Sequence, residues 1–560
     1  MIRRIIGLVL LLYTGNGFSQ QVKFISPSGN DTQPGDVSRP WQHIQYGLDH
    51  IHPGDTLIVK DGVYYERLHF PSDSLSLKAE HPGQAVVDGT GTSGQDALIE
   101  IRGKSYITVQ GLEIRNNIRN DAIGILIEGS GTNIHINQCH IHDIHFSDDP
   151  QASVSEQTNA QGIIVYGTES TPYAGIYIVD NELDHCRLGY SEGIALNGNV
   201  TDFVISGNHI HDLTNIGIDI IGFEQTCPDP SLDMARNGII SDNTVVNCVA
   251  DYDTSAGIYI DGGQQVTIIR NLVKGNGYGI ETGCENTGHA TANIEVRDNL
   301  IMENLESGLA LGGFDYPSGS GKVMHTNILN NTFVNNDTQN TGTGSLYLSY
   351  CENCRIENNV FYLDKDDLLY AENSQPQLVM DYNVYWDTDN DDTENGIDFN
   401  GTYYDGFNDF RSNSSFEAHG QYHRPGLHFD ANGIPHLQST SVLIDAGTTG
   451  YVPLSDETDF FGWQRVFNSR VDIGMEEFQG QNHIDESAIK RLICYPNPAE
   501  NFVWPANINE GFYTISSPAG QAVATGNFDR FIPLTKLAPG IYILQIVRNG
   551  KIFVGKVVKR

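Results

Sequence analysis

Asp219, Asp261 and Glu281 stand in a short phrase that returns five times between Glu192 and Asp315. It reads Gly193-Ile194-Ala195-Leu196-Asn197, Gly217-Ile218-Asp219-Ile220-Ile221, Gly257-Ile258-Tyr259-Ile260-Asp261, Gly279-Ile280-Glu281-Thr282-Gly283 and Gly308-Leu309-Ala310-Leu311-Gly312. Paired carboxyl groups are the equipment of general acid–base chemistry, in which one holds its proton while a neighbour stays ionised. Crowding several of them raises the pKa of at least one, because like charges and burial both oppose ionisation. Asp219 is the first candidate, with Asp261 and Glu281 as partners.

The candidate binding residues follow from the same alignment. Asn197 shares the fifth position with Asp261, and Tyr259 shares the third with Asp219 and Glu281. Earlier coils add Tyr166 and Glu128, and Glu192 heads the first phrase. Glu224, Glu285 and Asp315 fall just past the strands, and Asp212 is a reserve candidate one turn earlier. Glycines and acids occur on the same coils, as though a ligand approached the backbone there.

These side chains need elements that stack them. Each phrase has period 2, so Ile218 and Ile220 share one face of a strand and Asp219 takes the other. A second repeat places Gly111, Gln138, Asn181, Asn208, Asn243, Asn271, Asn299, Asn331 and Asn359 at a turn, with Asn243, Asn271 and Asn299 each 28 residues apart. One supersecondary unit per such period means a solenoid. Asn suits the corner because it tolerates left-handed backbone and can bond to the next Asn in a ladder. The expected fold is all-β: a right-handed parallel β-helix of roughly ten coils with a small C-terminal β-sandwich. Neighbouring strands about 4.8 Å apart would then bring the acids together. Extra residues fall at about 144–160, 223–236 and 249–256, and the latter two, flanking the strands that carry Asp219 and Asp261, are candidate walls of a groove.

The 560 residues exceed one ordinary core. A formal net charge of −38 argues against nucleic acid and against an unassisted polyanionic substrate. Arg3 and Arg4, then the apolar run Ile5 to Tyr13, predict a signal peptide over 1–20, and no later segment is long enough to cross a bilayer. Eight cysteines are compatible with disulfides after export, but spacing does not give a pairing. Cys351 and Cys354 have zinc-like spacing without a second pair, and packed or bridged thiols are the better expectation. The histidines at 135, 140, 142, 145, 185, 209 and 211 are expected on turn or solvent positions, and no metal site is assigned.

The helical domain is expected over 21–479. The opening Phe24-Ile25-Ser26-Pro27, Pro40-Trp41 and a short helix at 43–50 resemble the N-terminal cap of secreted parallel β-helix proteins, covering about 21–105. Terminal coils and a closing segment occupy about 381–479. There Asp387 to Asp398 has the spacing of a calcium loop but carries Asp392 where glycine is required, so a solvated acidic loop is expected. Ile444-Asp445-Ala446-Gly447, Asp459-Phe460-Phe461-Gly462 and Val471-Asp472-Ile473-Gly474 resemble closing motifs of secreted bacterial β-helices. A polar linker at 480–490 precedes Cys494-Tyr495-Pro496-Asn497-Pro498 and Pro539-Gly540-Ile541-Tyr542. Residues 491–560 resemble the type IX secretion C-terminal sorting domain of the Bacteroidetes. The resemblance implies a partner in the type IX machinery and a protein released or held at the outer-membrane surface.

By architecture and repeat style, residues 22–478 resemble the carbohydrate-active β-helices, which include polygalacturonases, a lacto-N-biosidase family, pectate lyases and alginate-acting enzymes. That resemblance implies a polysaccharide or oligosaccharide substrate. A glycoside hydrolase using paired carboxylates and needing no cofactor is the leading expectation. A polysaccharide lyase or epimerase acting on uronates with Ca2+ is the alternative, although Arg187, Arg236 and Lys274 take no outward position on the strands. A non-catalytic glycan-binding or adhesion protein, stacking sugars on its 26 tyrosines, is the third.

Overall fold

The computed structural model describes residues 20–480, apart from 314, 364–366, 395 and 456, and then 489–560, apart from 493, 496, 498, 500, 506, 507, 509, 518–521, 549 and 550. The expected signal peptide, most of the expected linker and the prolines of the Tyr495-Pro496-Asn497-Pro498 motif lie outside the described residues. The chain divides into two compact units, Met1–Phe478 and Gln479–Arg560.

The first unit is built from three long parallel sheets, because each coil contributes one strand to each. Among the described residues, the first sheet has 16 strands, and the second and third have 13 each. The period-2 phrases supply the second sheet, and their inward residues stack in one continuous column. Ile99, Ile125, Ile163, Ile194, Ile218, Ile258, Ile280, Leu309 and Leu346 lie in successive register. All nine are fully buried. A slip of one residue would send that whole column to solvent, so burial fixes the register.

The corner between the first and third sheets is held by side-chain amides. The Nδ2 of Asn181 donates to Oδ1 of Asn208 at 3.0 Å, and the same bond repeats through Asn243, Asn271, Asn299, Asn331, Asn359 and Asn383. Each Oδ1 also accepts the backbone N–H of the previous Asn, at 3.0 Å for Asn243 and Asn271. The final Asn383 donates to Glu417 at 2.7 Å. Two expectations are corrected here. The left-handed residue is not the ladder Asn but the one before it: Asp180, Asp242, Arg270, Asp298, Asn330 and Asn358 all have φ near +55°. Gly111 and Gln138 belong to that preceding position, and Cys139 donates its N–H to Asn181 to start the ladder. A second, shorter ladder runs Asn276, Asn304, Asn336.

The ends are closed as a solenoid requires. The helix Ile44–His50 buries Ile44 and Leu48, and Gly47 lets it approach Ile25 and Leu57. At the other end the acidic stretch is structural: the Asp392 carboxylate accepts N–H bonds from Phe407 and Asn408 at the start of the helix Phe407–Asn413. The closing motifs strap the coils from outside. Asp472 accepts from Asp445 and Phe478, Gly474 donates to Asn358, and the fully buried Arg465 lies 3.3 Å from Asp298. All eight cysteines are buried free thiols.

The second unit has its own core of Val503, Ile515, Leu544, Ile546 and Val557. Around it, the described residues form a five-stranded sheet whose long strands are Glu510–Ser516, Ala522–Asp529, Gly540–Arg548 and Lys551–Lys559, and a three-stranded sheet. This is the small β-sandwich expected.

Replacing Asn299 with Ala removes two buried bonds that it donates and two that it accepts. The expected loss is about 2–4 kcal/mol in urea unfolding. A loss below about 0.5 kcal/mol would mean that the ladder carries no stability.

Candidate active site

The outward column of the second sheet carries the chemistry. Ala195, Asp219, Tyr259, Glu281, Ala310 and Tyr347 follow one another in register. Two residues further along the strands, Tyr166 faces Asn197 and Asn197 faces Ile221. Of these, Tyr166, Asn197, Asp219, Ile221, Tyr259, Glu281 and Tyr347 line the floor of a cavity of about 800 Å³. Of the residues singled out from the sequence, Asp219, Asp261, Glu281, Tyr166, Glu192, Asn197, Glu224, Tyr259 and Glu285 all line it.

Asp315, Glu128 and Asp212 do not. Asp315 is exposed in a turn, its carbonyl accepting the N–H groups of Ser318 and Gly319. Glu128 forms an ion pair with Arg102. Asp212 accepts from Asn247 at 2.5 Å and faces His211 on the third sheet.

The walls come from the insertions. Glu156 and Asn159 arise in the 144–160 segment, Glu224 in 223–236, and Asp253 and Thr254 in 249–256. Tyr190, Tyr278 and Tyr347 also line the cavity and were not singled out from the sequence. Tyr347 follows Ser345-Leu346, so the missing leading glycine hid a phrase that pairs with Leu309–Leu311. The leading glycines themselves serve packing, not a ligand. A Cβ on Gly217 would stand 2.6 Å from the Gly257 carbonyl, and one on Gly279 would stand 2.5 Å from that of Gly308. The next coil already fills that space.

Burial governs the electrostatics. Asp219 and Asp261 are each 4 % exposed. Asp219 is held well above the carboxylate range, first by burial and then by the charges of Glu192 and Asp261. Its Oδ1 has no hydrogen-bond partner, nor has Oδ1 of Asn197. Asp261 is also raised by burial and by Glu285, but its Oδ1 accepts the Glu285 N–H at 2.7 Å, which favours the ionised form. Burial and Glu285 push Glu281 up to about 8. Glu192 rises to about 7 through burial and Glu285, opposed by a hydrogen bond from Gln161. The Tyr259 phenol, also raised by burial, stands between Asp219 and Glu281 in the column and stays neutral.

The set therefore contains carboxyls that are protonated near neutrality beside one supplied with a backbone donor. Proton donation to a leaving group and stabilisation of developing positive charge are the steps such a set performs. Among the described residues, three groups of His and carboxylate atoms lie within metal-ligand reach of one another, and none includes a cavity carboxylate.

Three stacked sheets with a polar cavity on one outer face define a parallel β-helix. The chain belongs to the family described as right handed beta helix region, whose model matches residues 84–301 and 234–414. It is 30% identical over 357 residues to the uncharacterized protein YwoF of Bacillus subtilis (strain 168), covering 60% of this chain and 74% of that one. Among solved structures it is similar to a GH136 lacto-N-biosidase from Eubacterium ramulus, at 12% identity and TM-score 0.46 over 72% of this chain and 68% of that one. Pectate lyase Pel9A is similar at 16% identity and TM-score 0.37, over 82% of this chain and 97% of that one. The A-module of mannuronan C-5 epimerase AlgE6 from Azotobacter vinelandii is similar at 14% and 0.38, over 61% and 94%.

Glu281 keeps its proton up to about pH 8 in the fold, against an ordinary value of 4.5. The folded state then binds more protons than the unfolded chain, so stability falls as pH rises from about 4.5 to about 8. Urea unfolding across that window should show the decline, and Glu281→Gln should flatten it. An unchanged slope in the variant would show that Glu281 ionises freely.

Proposed function

We propose that this protein is a carbohydrate-active enzyme, and that it is a glycoside hydrolase for a neutral or mildly charged glycan. One observation carries this. Asp219 is buried on the floor of a roughly 800 Å³ cavity with an unpartnered carboxyl oxygen, one coil from Asp261. Glycoside hydrolysis needs a protonated carboxyl to release the leaving oxygen and a second carboxylate across the bond. Asp219 is assigned the acid. Asp261 is assigned the second carboxyl: burial and Glu285 raise it too, while its backbone N–H donor opposes that rise and favours its ionised form beside a protonated Asp219. Glu281 and Glu192 titrate near neutrality and set the protonation of the pair.

The lining supports a sugar. Tyr166, Tyr190, Tyr259, Tyr278 and Tyr347 offer apolar faces with polar tips, and Asn159, Asn197 and Asn215 offer amides for hydroxyl groups. Eight of the lining residues are Asp or Glu and none of those described is Lys, Arg or His. A uronate polymer would find no cation in that lining to neutralise it, which weighs against a lyase or epimerase. The expected export, and delivery through type IX machinery by residues 491–560, belong to the same proposal: an enzyme working on glycans outside the cell.

A glycan panel with and without chelator tests it. Wild type should hydrolyse one class regardless of chelator, and Asp219→Asn should lose about 10²–10⁴-fold in kcat/KM. Chelator-sensitive release of unsaturated uronates would overturn the hydrolase in favour of a lyase. Glycan binding without any product would favour an adhesin. The rate should also fall as pH rises past 7–8, where Glu192 and Glu281 lose their protons, and Glu281→Gln should move that limb. A limb unmoved in the variant would remove Glu281 from the mechanism.

A further inference from the structure

The third sheet carries an unassigned cluster of ligating groups on its outward face. Ile141, Leu183 and Ile210 point inward and are fully buried, so the alternate residues of those strands face out. In register across three coils stand His140, Glu182 and His209, and beside them His142, Asp184 and His211. The sequence reading left these histidines as unconnected surface groups; stacking instead sets four imidazoles and two carboxylates in one patch.

Their atoms converge. Nε2 of His211 lies 3.6 Å from Oε1 of Glu182 and 3.6 Å from Oδ2 of Asp184, and Nδ1 of His209 lies 3.9 Å from Oε1 of Glu182. A tetrahedral ion with bonds of about 2.0–2.1 Å separates its ligand atoms by roughly 3.3 Å. The observed spacings are therefore a few tenths of an ångström wider than an occupied site needs.

The second observation is the state of His211. Its Nδ1 is 2.8 Å from Oδ2 of Asp212, which places the ring proton on that side. Nε2 is buried without a hydrogen-bond partner while facing two carboxylates, and in the neutral ring that donates from Nδ1 to Asp212 it offers a lone pair. Three lone-pair donors pointed at one another lack only a cation between them. Asp184 is itself held in place, with Oδ2 2.9 Å from Nε2 of His140 and Oδ1 2.9 Å from Nδ1 of His185. Partners behind a ligand fix its orientation in this way. His142 is engaged elsewhere, with Asp143 and Glu113.

We propose that Glu182, His209 and His211, with Asp184 as fourth ligand, bind one divalent transition-metal ion of the Zn2+ class. Two imidazoles and two carboxylates suit such an ion better than Ca2+ or Mg2+, which take oxygen ligands. The ion clips the strands Glu182–Asp184 and His209–Leu213 of successive coils. It lies on a different sheet from the cavity and does not depend on the chemistry assigned there.

The test uses the full chain, without a histidine tag and stripped with chelator, titrated with Co2+ and with Zn2+. One ion per chain should bind, with the visible d–d bands of a tetrahedral Co2+ site, and Zn2+ should displace it and raise Tm. The double variant His209→Gln/His211→Gln, both partly exposed and expected to fold, should bind at least about tenfold more weakly and lose the Tm rise. His81→Gln, in the exposed Asp61–Glu80–His81 group, and Asp219→Asn should bind as wild type. No saturable binding would overturn the proposal. Binding unchanged in the double variant, or lost in Asp219→Asn, would overturn it by moving the ion elsewhere.

Discussion

Everything in the first unit depends on one constraint: successive coils lie in register because the inward Ile and Leu column allows no other alignment. That apolar column is enforced by burial, while the residues between its members face outward and are free to vary. Selection can therefore place a carboxylate, a tyrosine or an imidazole at any coil without disturbing the core. The cavity and the histidine patch are two uses of the same freedom, on two different sheets.

The same constraint explains why the cavity acids are held above the ordinary carboxylate range. In a single exposed strand, Asp219 would be solvated and ionised. Stacked between Ala195 and Tyr259, and walled by the three insertions, it loses water and meets neighbouring charge. Desolvation is the first cause of its raised pKa, ahead of any one neighbour. The fold thus spends burial on a polar group, and the Asn ladder and closing strap offset that cost elsewhere.

Much of this was legible in the sequence, and the exceptions have physical causes. Period 2 and the recurring glycine gave the strands and aligned Asp219, Tyr259 and Glu281 correctly, because strand register is a local pattern repeated. Tyr347 escaped because Ser345 replaces the glycine that marks each phrase. The ladder was displaced at its start, since the left-handed residue and the bonding Asn are adjacent and either can anchor the repeat. The glycines were credited to a ligand when the neighbouring carbonyl occupies the space, a contact between coils that no single coil reveals. The path of an insertion is set by what it packs on, so Asp253 and Glu156 carried no signal. Asp315 was placed by offset alone, and offsets fail where the chain turns away.

The central claim is that stacking holds the Asp219 carboxyl well above the ordinary carboxylate range. Infrared difference spectroscopy of wild type minus Asp219→Asn, followed through a pH titration, measures this without any substrate. The account predicts a protonated carboxyl C=O band that the variant lacks and that persists to pH values well above the ordinary Asp range. A wild-type minus variant spectrum showing only carboxylate bands down to the ordinary Asp range would contradict it.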